Sequence, residues 1–156
     1  MRKYVLFGVL GVLLLFAGWR LVDALIVTDE ERVLEAYEAL RTAVVDERAS
    51  AIGPLLTPDF SWESPPPIGK GERGDVEGRF REFFDLATDI GILPRGQKEV
   101  TVAGGIATLR VAQIVRFRAG DMFAAWRMDA VLTFDRVGDR FVLAQIRVTQ
   151  LKPGIL

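Results

Sequence analysis

Four segments with the periodicity of β-strands follow one another in the C-terminal part of the chain. Each alternates apolar and polar residues, and a short glycine-containing turn separates each segment from the next. The first turn, Gly104-Gly105, is typical of a two-residue β-hairpin, and the later turns contain Gly120 and Gly138. The pattern predicts a four-stranded antiparallel meander with strands over residues 99–103, 106–118, 123–135 and 140–150.

The region before the meander is predicted to be mainly helical. Thr28 followed three residues later by Glu31 is the pattern of an N-terminal capping box, and apolar residues then recur at helical spacing as far as Val44. A second, short helix fits residues 48–56. Residues 60–63 alternate like a first strand.

A third helix is predicted to begin at Asp75, whose side chain suits an N-cap, and to run to about residue 89. The glycines and proline of residues 91–96 indicate a loop. Helices that precede an antiparallel sheet indicate an α+β fold.

The N-terminus predicts where the domain works. Residues 4–19 carry no charge and follow Arg2 and Lys3, as in an export signal or a signal-anchor. This apolar run is short for a bilayer, but it reaches Val27 if the Arg20 side chain extends to the interface. We therefore assign residues 1–27 to a single transmembrane helix and residues 28–152 to one domain.

Because the positive residues precede the span, we expect the N-terminus in the cytoplasm and the domain outside it, in the periplasm if the cell is bacterial. Two alternatives stay open for this segment, a cleaved signal peptide and a helix buried in the core.

The composition excludes several classes of function. The chain of 156 residues contains no cysteine and no histidine, which removes disulfides, thiol nucleophiles and every Ser-His-Asp or Cys-His mechanism. Without clustered carboxylates either, we expect no metal and no cofactor. A net charge of -1 provides no general basic field for nucleic acid.

One face of the two central strands is apolar, and a single glutamine interrupts it. Gln113 lies among aliphatic residues, and Trp126 lies on the matching face of the next strand. A polar group in a mostly apolar pocket is typical of a ligand site, whereas the alternative is a glutamine and aromatic residues that simply belong to the core. The candidate pocket contains Tyr37, Trp62, Phe80, Phe84, Gln113 and Trp126.

The opposite face of the same strands is polar and mostly basic. We consider it a possible contact for an acidic partner or for lipid headgroups. The alternative is a solvated face with cross-strand charge pairs. This candidate patch contains Arg110, Arg116, Arg127, Asp129 and Arg147.

The order of these segments resembles the nuclear transport factor 2-like superfamily, which includes ketosteroid isomerases and SnoaL-like cyclases. The resemblance rests on four stretches, and together they cover roughly residues 29–150: the first helix ending near Asp46, residues 55–62, residues 71–84, and residues 132–135 through 140–142. It implies a cone-shaped α+β barrel, often a dimer, whose curved antiparallel sheet wraps around the N-terminal helices and encloses a pocket. It implies no single activity, because that fold carries enzymes and binding modules alike.

The isomerase version of this resemblance can be compared residue by residue. Ser64 occupies the position of the general base, and a serine hydroxyl does not accept a proton near neutral pH unaided. Tyr37 matches the tyrosine of the family's first helix, whereas the acid on a later strand has no firm match, with Arg127 or Asp129 nearby.

We therefore expect a membrane-anchored module that binds a small apolar ligand or a protein partner, with no catalytic residues. The alternative is an isomerase, dehydratase or cyclase that uses Tyr37 with Asp129 or Glu63. A third hypothesis is assembly as a homodimer through the sheet face.

Overall fold

The computed structural model describes residues 27–66 and 68–153, which form a mixed α+β fold. Its helices are α1 (Asp29–Val45), α2 (Ala49–Ile52) and α3 (Arg73–Leu86), and a 3-10 turn, Gly53–Leu55, follows α2. Its strands are β1 (Leu56–Glu63), β2 (Lys70–Glu72), β3 (Thr88–Pro94), β4 (Glu99–Ala103), β5 (Ile106–Ala119), β6 (Met122–Val137) and β7 (Arg140–Pro153).

The strands form one curved, unclosed sheet of seven strands in the order β2-β1-β7-β6-β5-β3, and β4 pairs with β5 beyond the end of β3. The meander β4 to β7 is confirmed, and glycine is present in each of its turns with positive φ. The sheet is not wholly antiparallel, however, because β1 runs parallel to β7. Register shifts between β6 and β7 bend these long strands around the helices.

Helix α1 begins at the predicted capping box. The Glu31 N–H donates to Thr28 Oγ1 at 3.2 Å, and the Thr28 N–H donates to Glu31 Oε2 at 2.8 Å. The buried side of the helix packs on the inner face of the sheet, and it carries Val33, Tyr37, Leu40 and Ala43. The deepest part of the core lies between this helix and the centre of β5 to β7, where Leu109 and Phe134 are almost fully buried.

The structure differs from the sequence prediction in the bounds of the second helix, the first strand and the third helix. The second helix is only α2 and a 3-10 turn, because Pro54 has no N–H to continue a helix, and β1 begins at Leu56 rather than at residue 60. The N-cap of helix α3 is Glu72, three residues before the predicted N-cap Asp75. Asp75 lies inside its first turn and accepts from the Glu72 N–H at 3.4 Å. The helix ends at Leu86 rather than near residue 89.

The predicted loop over residues 91–96 is largely strand β3, whose Ile90 and Ile92 are buried. Gly91 and Pro94 are typical of loops, so the sequence pattern does not indicate a strand here. A Cβ on Gly91 would lie 2.6 Å from Arg116 Nε, so glycine lets the neighbouring side chain cross the strand. Proline is tolerated in this strand because it lies at the edge of the sheet.

The proposed signal-anchor, residues 1–27, lies outside the described residues except for Val27. In the part of the chain that the structure describes, no helix is long and apolar enough to cross a membrane.

The end of α1 contains a backbone position that favours glycine. The Glu47 N–H donates to the Val44 carbonyl at 3.1 Å, and the Arg48 N–H donates to the Ala43 carbonyl at 2.9 Å. These two bonds form a Schellman motif, with Glu47 in the left-handed region at φ 57°.

We expect Glu47→Gly to raise the free energy of unfolding by about 0.5–1 kcal/mol, because glycine adopts a positive φ without steric cost. Urea unfolding of the two proteins measures this difference. Glu47→Ala is the matched control, since it removes the carboxylate but keeps the Cβ. An equal gain with alanine would show that charge, rather than backbone conformation, is responsible.

Candidate functional site

A tyrosine and a glutamine meet in the interior between α1 and β5. The Tyr37 hydroxyl donates to Gln113 Oε1 at 2.6 Å. Both side chains are buried, with 6% of Tyr37 and 5% of Gln113 exposed. The glutamine is therefore bonded to the helix side chain that faces it, rather than to backbone.

Three charged side chains surround the exposed edge of this pair. Lys98 Nζ lies 4.5 Å from the centroid of the Tyr37 ring and donates to Glu38 Oε1 at 2.6 Å. Arg41 donates to Glu38 Oε2 at 2.9 Å, and its guanidinium also donates to the Ile92 carbonyl on the edge strand. Sequence reasoning missed Lys98, which precedes β4 and is distant from α1 along the chain.

The pKa values of Tyr37 and Glu38 do not suit proton transfer near neutral pH. Burial raises the pKa of the Tyr37 hydroxyl, the nearby Glu38 carboxylate raises it further, and Arg41 opposes the shift. The hydrogen bond from Lys98 lowers the pKa of Glu38, with a smaller contribution from Arg41, while partial burial opposes both. Tyr37 is therefore a neutral donor and Glu38 an ionised carboxylate, whereas a general acid or base works best with a pKa near the operating pH.

An aromatic row continues from α3 to the sheet, and it consists of Phe80, Phe84, Phe83, Phe117 and Trp126. Successive ring centroids lie 5.6, 5.9, 5.5 and 6.1 Å apart, and the last two contacts are edge-to-face. These separations are those of favourable aromatic pairs. Phe83 and Phe117 join the helix part of the row to Trp126, and neither was among the predicted pocket residues.

The aromatic row lies where the interior opens. Along the inner face of β5, Leu109 is fully buried and Gln113 nearly so, whereas Phe117 is half-buried. Trp126 pairs with Val115, one inward position beyond Gln113. The Tyr37–Gln113 bond thus forms the deep end of this interior, and the row covers the end nearer the β5–β6 turn.

Trp62, also predicted to line the pocket, lies apart from the aromatic row. Its ring centroid is 6.4 Å from that of Phe60, and it pairs with Ile146 through the parallel strands. The ring also packs over Gly71, where an added Cβ would lie 2.2 Å from it. Trp62 therefore closes the β1–β2 edge of the core.

Ser64, at the position of the isomerase base, is buried with 8% of its surface exposed. Its N–H donates to the Gly69 carbonyl at 2.8 Å, and its hydroxyl lies 3.4 Å from the carbonyl of Pro65. These contacts serve the loop between β1 and β2 and provide no base.

The two carboxylates of the enzymatic alternative lie on the other face of the sheet from Tyr37. Asp129 pairs with Ala112, which alternates with the buried Val111 and Gln113. Glu63 is exposed and forms an ion pair with Arg147 at 3.6 Å. Neither carboxylate contacts Tyr37. The structure therefore does not bring together the tyrosine and carboxylate that the isomerase, dehydratase or cyclase alternative requires.

The basic patch predicted from the sequence lies on that same outer face. Strand register aligns Arg110 with Val131 and Arg147, and aligns Arg127 with Ile114. Arg110, Arg116 and Arg127 are exposed, and within the described ranges no carboxylate lies within 4.0 Å of their guanidinium groups.

Two open depressions lie away from both the buried pair and the aromatic row. One, of about 420 Å³, is lined by residues that include Val27, Glu35 and Asp139. The other, of about 400 Å³, lies between α1 and α2 beside Thr42 and Arg48. In the aromatic row itself neighbouring rings are in contact, so a ligand inserted between them would have to separate them. The described residues include no group of three or more carboxylates placed to hold a metal ion.

No protein-family sequence model matches the chain, and a comparison with curated proteins also finds no match. Solved structures do resemble it. A protein of the nuclear transport factor 2-like family from Streptomyces avermitilis, provisionally named a dehydratase, aligns with a TM-score of 0.69 and 18% identity over 82% of this chain and 97% of that one. A nuclear transport factor 2-like superfamily protein from Salmonella enterica serovar Typhimurium aligns with a TM-score of 0.67 and 9% identity over 77% and 89%.

A third structure, from Novosphingobium aromaticivorans and provisionally named a scytalone dehydratase, gives a TM-score of 0.69 and 9% identity over 88% of this chain and 91% of that one. At such identities the similarity concerns the fold. The fold of this chain is thus similar to that of structures described as nuclear transport factor 2-like, in agreement with the fold that the sequence resemblance implies, and its activity must be argued from its own residues.

The raised pKa of Tyr37 predicts a pH dependence of stability. The group is neutral when protonated, so its contribution is complete below the unfolded pKa of about 10 and is lost as pH rises towards the folded value. We expect the free energy of unfolding of the natural protein to fall more steeply than that of Tyr37→Phe between about pH 9 and 11.

Denaturant unfolding at a series of pH values measures this difference, and the comparison with the phenylalanine variant cancels the titration of lysines. Parallel stability profiles for the two proteins would contradict the assignment.

Proposed function

We propose that this chain is a non-enzymatic binding protein that holds a small apolar ligand between α3 and the inner face of the sheet. The aromatic row carries the proposal. It presents five rings, all half-buried, at the open end of an otherwise closed interior. Ligand sites are typically apolar and aromatic with a few polar groups that fix orientation.

The deep end of the interior offers few polar groups. The Tyr37 hydroxyl proton and Gln113 Oε1 are engaged in one hydrogen bond, and within the described residues the inner surface holds no charged group to pair with a charged ligand, so it favours an uncharged, mostly apolar molecule. A neutral oxygen on the ligand could accept a hydrogen bond from the Gln113 amide, whose N–H groups the bond to Tyr37 does not use. This arrangement favours a mainly hydrocarbon or aromatic ligand.

The absence of a suitable proton-transfer group supports binding over catalysis. The solved structures of similar fold include proteins provisionally named as dehydratases, and such names raise the question of an enzyme. In this chain the base position holds Ser64, and Asp129 and Glu63 lie on the outer face. The interior thus retains the shape of a pocket fold without its acid–base pair.

The proposal includes the location expected from residues 1–27. A signal-anchor there would hold the domain outside the cytoplasm, with Thr28 capping α1 directly after the apolar segment. With almost no linker, the domain would lie close to the bilayer, which is a source of apolar molecules.

Energy transfer from tryptophan to the apolar probe N-phenyl-1-naphthylamine tests the proposed site. The chain has three tryptophans, and Trp19→Phe in every sample leaves Trp62 and Trp126 as donors. We expect the bound probe to quench Trp126 strongly because this residue belongs to the aromatic row. In Trp126→Phe most of the transfer should disappear.

Trp62→Phe is the matched control, since Trp62 lies apart from the row, and it should keep the transfer. Phe83→Ser, which places a polar group between α3 and Phe117, should weaken probe binding by about tenfold or more because it removes a large apolar contact. Equal loss of transfer in the two tryptophan variants, or no effect of Phe83→Ser in a folded protein, would contradict the site.

A further inference from the structure

One end of the molecule exposes large apolar side chains that the proposed binding site does not use. Leu86 at the end of α3 is 74% exposed, and Met122 and Phe123 at the start of β6 are 73% and 59% exposed. Isolated exposed apolar residues are ordinary, but a cluster of them indicates a contact with another apolar phase or surface.

Strand pairing brings these three residues to the same end of the fold. Leu86 lies two residues before Thr88, which pairs with Arg118, and Arg118 pairs with Phe123. Met122 follows the β5–β6 turn directly. Leu86, Met122 and Phe123 together are called the apolar tip below.

Basic side chains lie beside the apolar tip on the outer face. Arg118 lies with its guanidinium carbon 4.5 Å from the centroid of the Phe123 ring, and it forms an ion pair with Asp89 at 3.2 Å. Arg116 and Arg127 follow on β5 and β6, and Lys152 pairs with Arg127 across β6 and β7. These last three cations have no ion pair within the described residues.

We propose that the apolar tip and these cations form a docking site for an anionic lipid surface. A few apolar side chains at a projecting turn, flanked by arginine and lysine, match the chemistry of an interface that has acyl chains below and negative headgroups above. The tip is too small for a stable protein partner, which needs roughly 800 Å² on each side. A second copy would also bring its own arginines against these arginines.

The proposed docking site and Val27 lie at opposite ends of the sheet. Val27 lines a depression with Asp139 and Arg140 at the β6–β7 turn, whereas the tip lies at the β5–β6 turn. Strand β6 is 16 residues long and spans roughly 50 Å at about 3.3 Å per residue. Docking by the tip is therefore separate from any attachment through the N-terminal segment, and it does not depend on ligand binding at the aromatic row.

The full chain allows a direct test because it contains no cysteine. Met122→Cys, labelled with the environment-sensitive dye nitrobenzoxadiazole, reports contact of the tip with lipid. Asp139→Cys, labelled in the same way, reports contact at the opposite end. We expect the dye at position 122 to shift to the blue and brighten on vesicles that contain phosphatidylserine, and to respond much less to phosphatidylcholine alone.

Two variants separate the charged and apolar contributions to docking. Arg116→Gln with Arg127→Gln should lower partitioning to anionic vesicles by about tenfold or more, since each cation near the surface contributes roughly fivefold. Phe123→Ser should lower partitioning to both kinds of vesicle. Arg110→Gln is the matched control, because it removes an exposed arginine of the same face about 20 Å farther along β5, beyond the range of unscreened attraction.

The outcomes distinguish the possible occupants. A response at position 122 that needs phosphatidylserine and is lost with the double arginine variant supports the proposal. It is overturned if the dye at position 122 does not respond, if it responds equally to neutral lipid, or if only position 139 responds, as attachment through the N-terminal segment alone would give. A response that grows with protein concentration without vesicles would instead identify a second copy as the occupant.

Discussion

The hydrogen bond between Tyr37 and Gln113 is the contact on which the interior of this domain depends. It joins the buried side of α1 to the centre of β5 through the Tyr37 hydroxyl and Gln113 Oε1. A buried hydroxyl or amide without a partner costs about 1–3 kcal/mol. The pair thus adds a specific contact to the apolar packing that holds α1 on the sheet.

The same bond bears on the function that we propose for the interior. The Tyr37 hydroxyl and Gln113 Oε1 bond to each other at the deep end, while Glu38 forms ion pairs with both Arg41 and Lys98 at its edge. The carboxylates that could have served as a base lie on the outer face or in solvent-exposed ion pairs. What remains inside is an apolar surface that ends in aromatic rings, which is why we propose that the domain binds an apolar ligand.

The sequence predicted the parts of the fold that have strong local signals. The Thr28–Glu31 capping box and the glycine turns of the meander are local interactions, so they could be recognised without tertiary information. Strand β3 could not, because Gly91 and Pro94 indicate a loop unless one knows that Arg116 crosses the strand and that the strand lies at an edge. The parallel pairing of β1 with β7 depends on residues far apart in the chain, and no local pattern reveals it.

The sequence predicted which candidate residues face the interior better than it predicted how they contact one another. The alternation of β5 placed Gln113 on the inner face, and helical spacing placed Tyr37 on the buried side of α1, but their hydrogen bond depends on how the helix lies on the sheet. Phe80, Phe84 and Trp126 were named from the sequence, whereas Phe83 and Phe117, which connect them, were not. Trp62 also lies on the apolar face of a strand, but it lies away from the aromatic row because β1 is near the opposite edge of the sheet from β5.

A double-mutant cycle between Tyr37 and Gln113 tests the central contact most directly. Urea unfolding at neutral pH would compare Tyr37→Phe, Gln113→Leu and the double variant with the natural protein, and Gln145→Leu on the outer face would replace Gln113→Leu in a control cycle. We expect each inner variant to lose about 1–3 kcal/mol and the double variant to lose at least about 1 kcal/mol less than their sum, because it leaves neither partner unsatisfied. Additive losses, equal to those of the control cycle, would contradict the account.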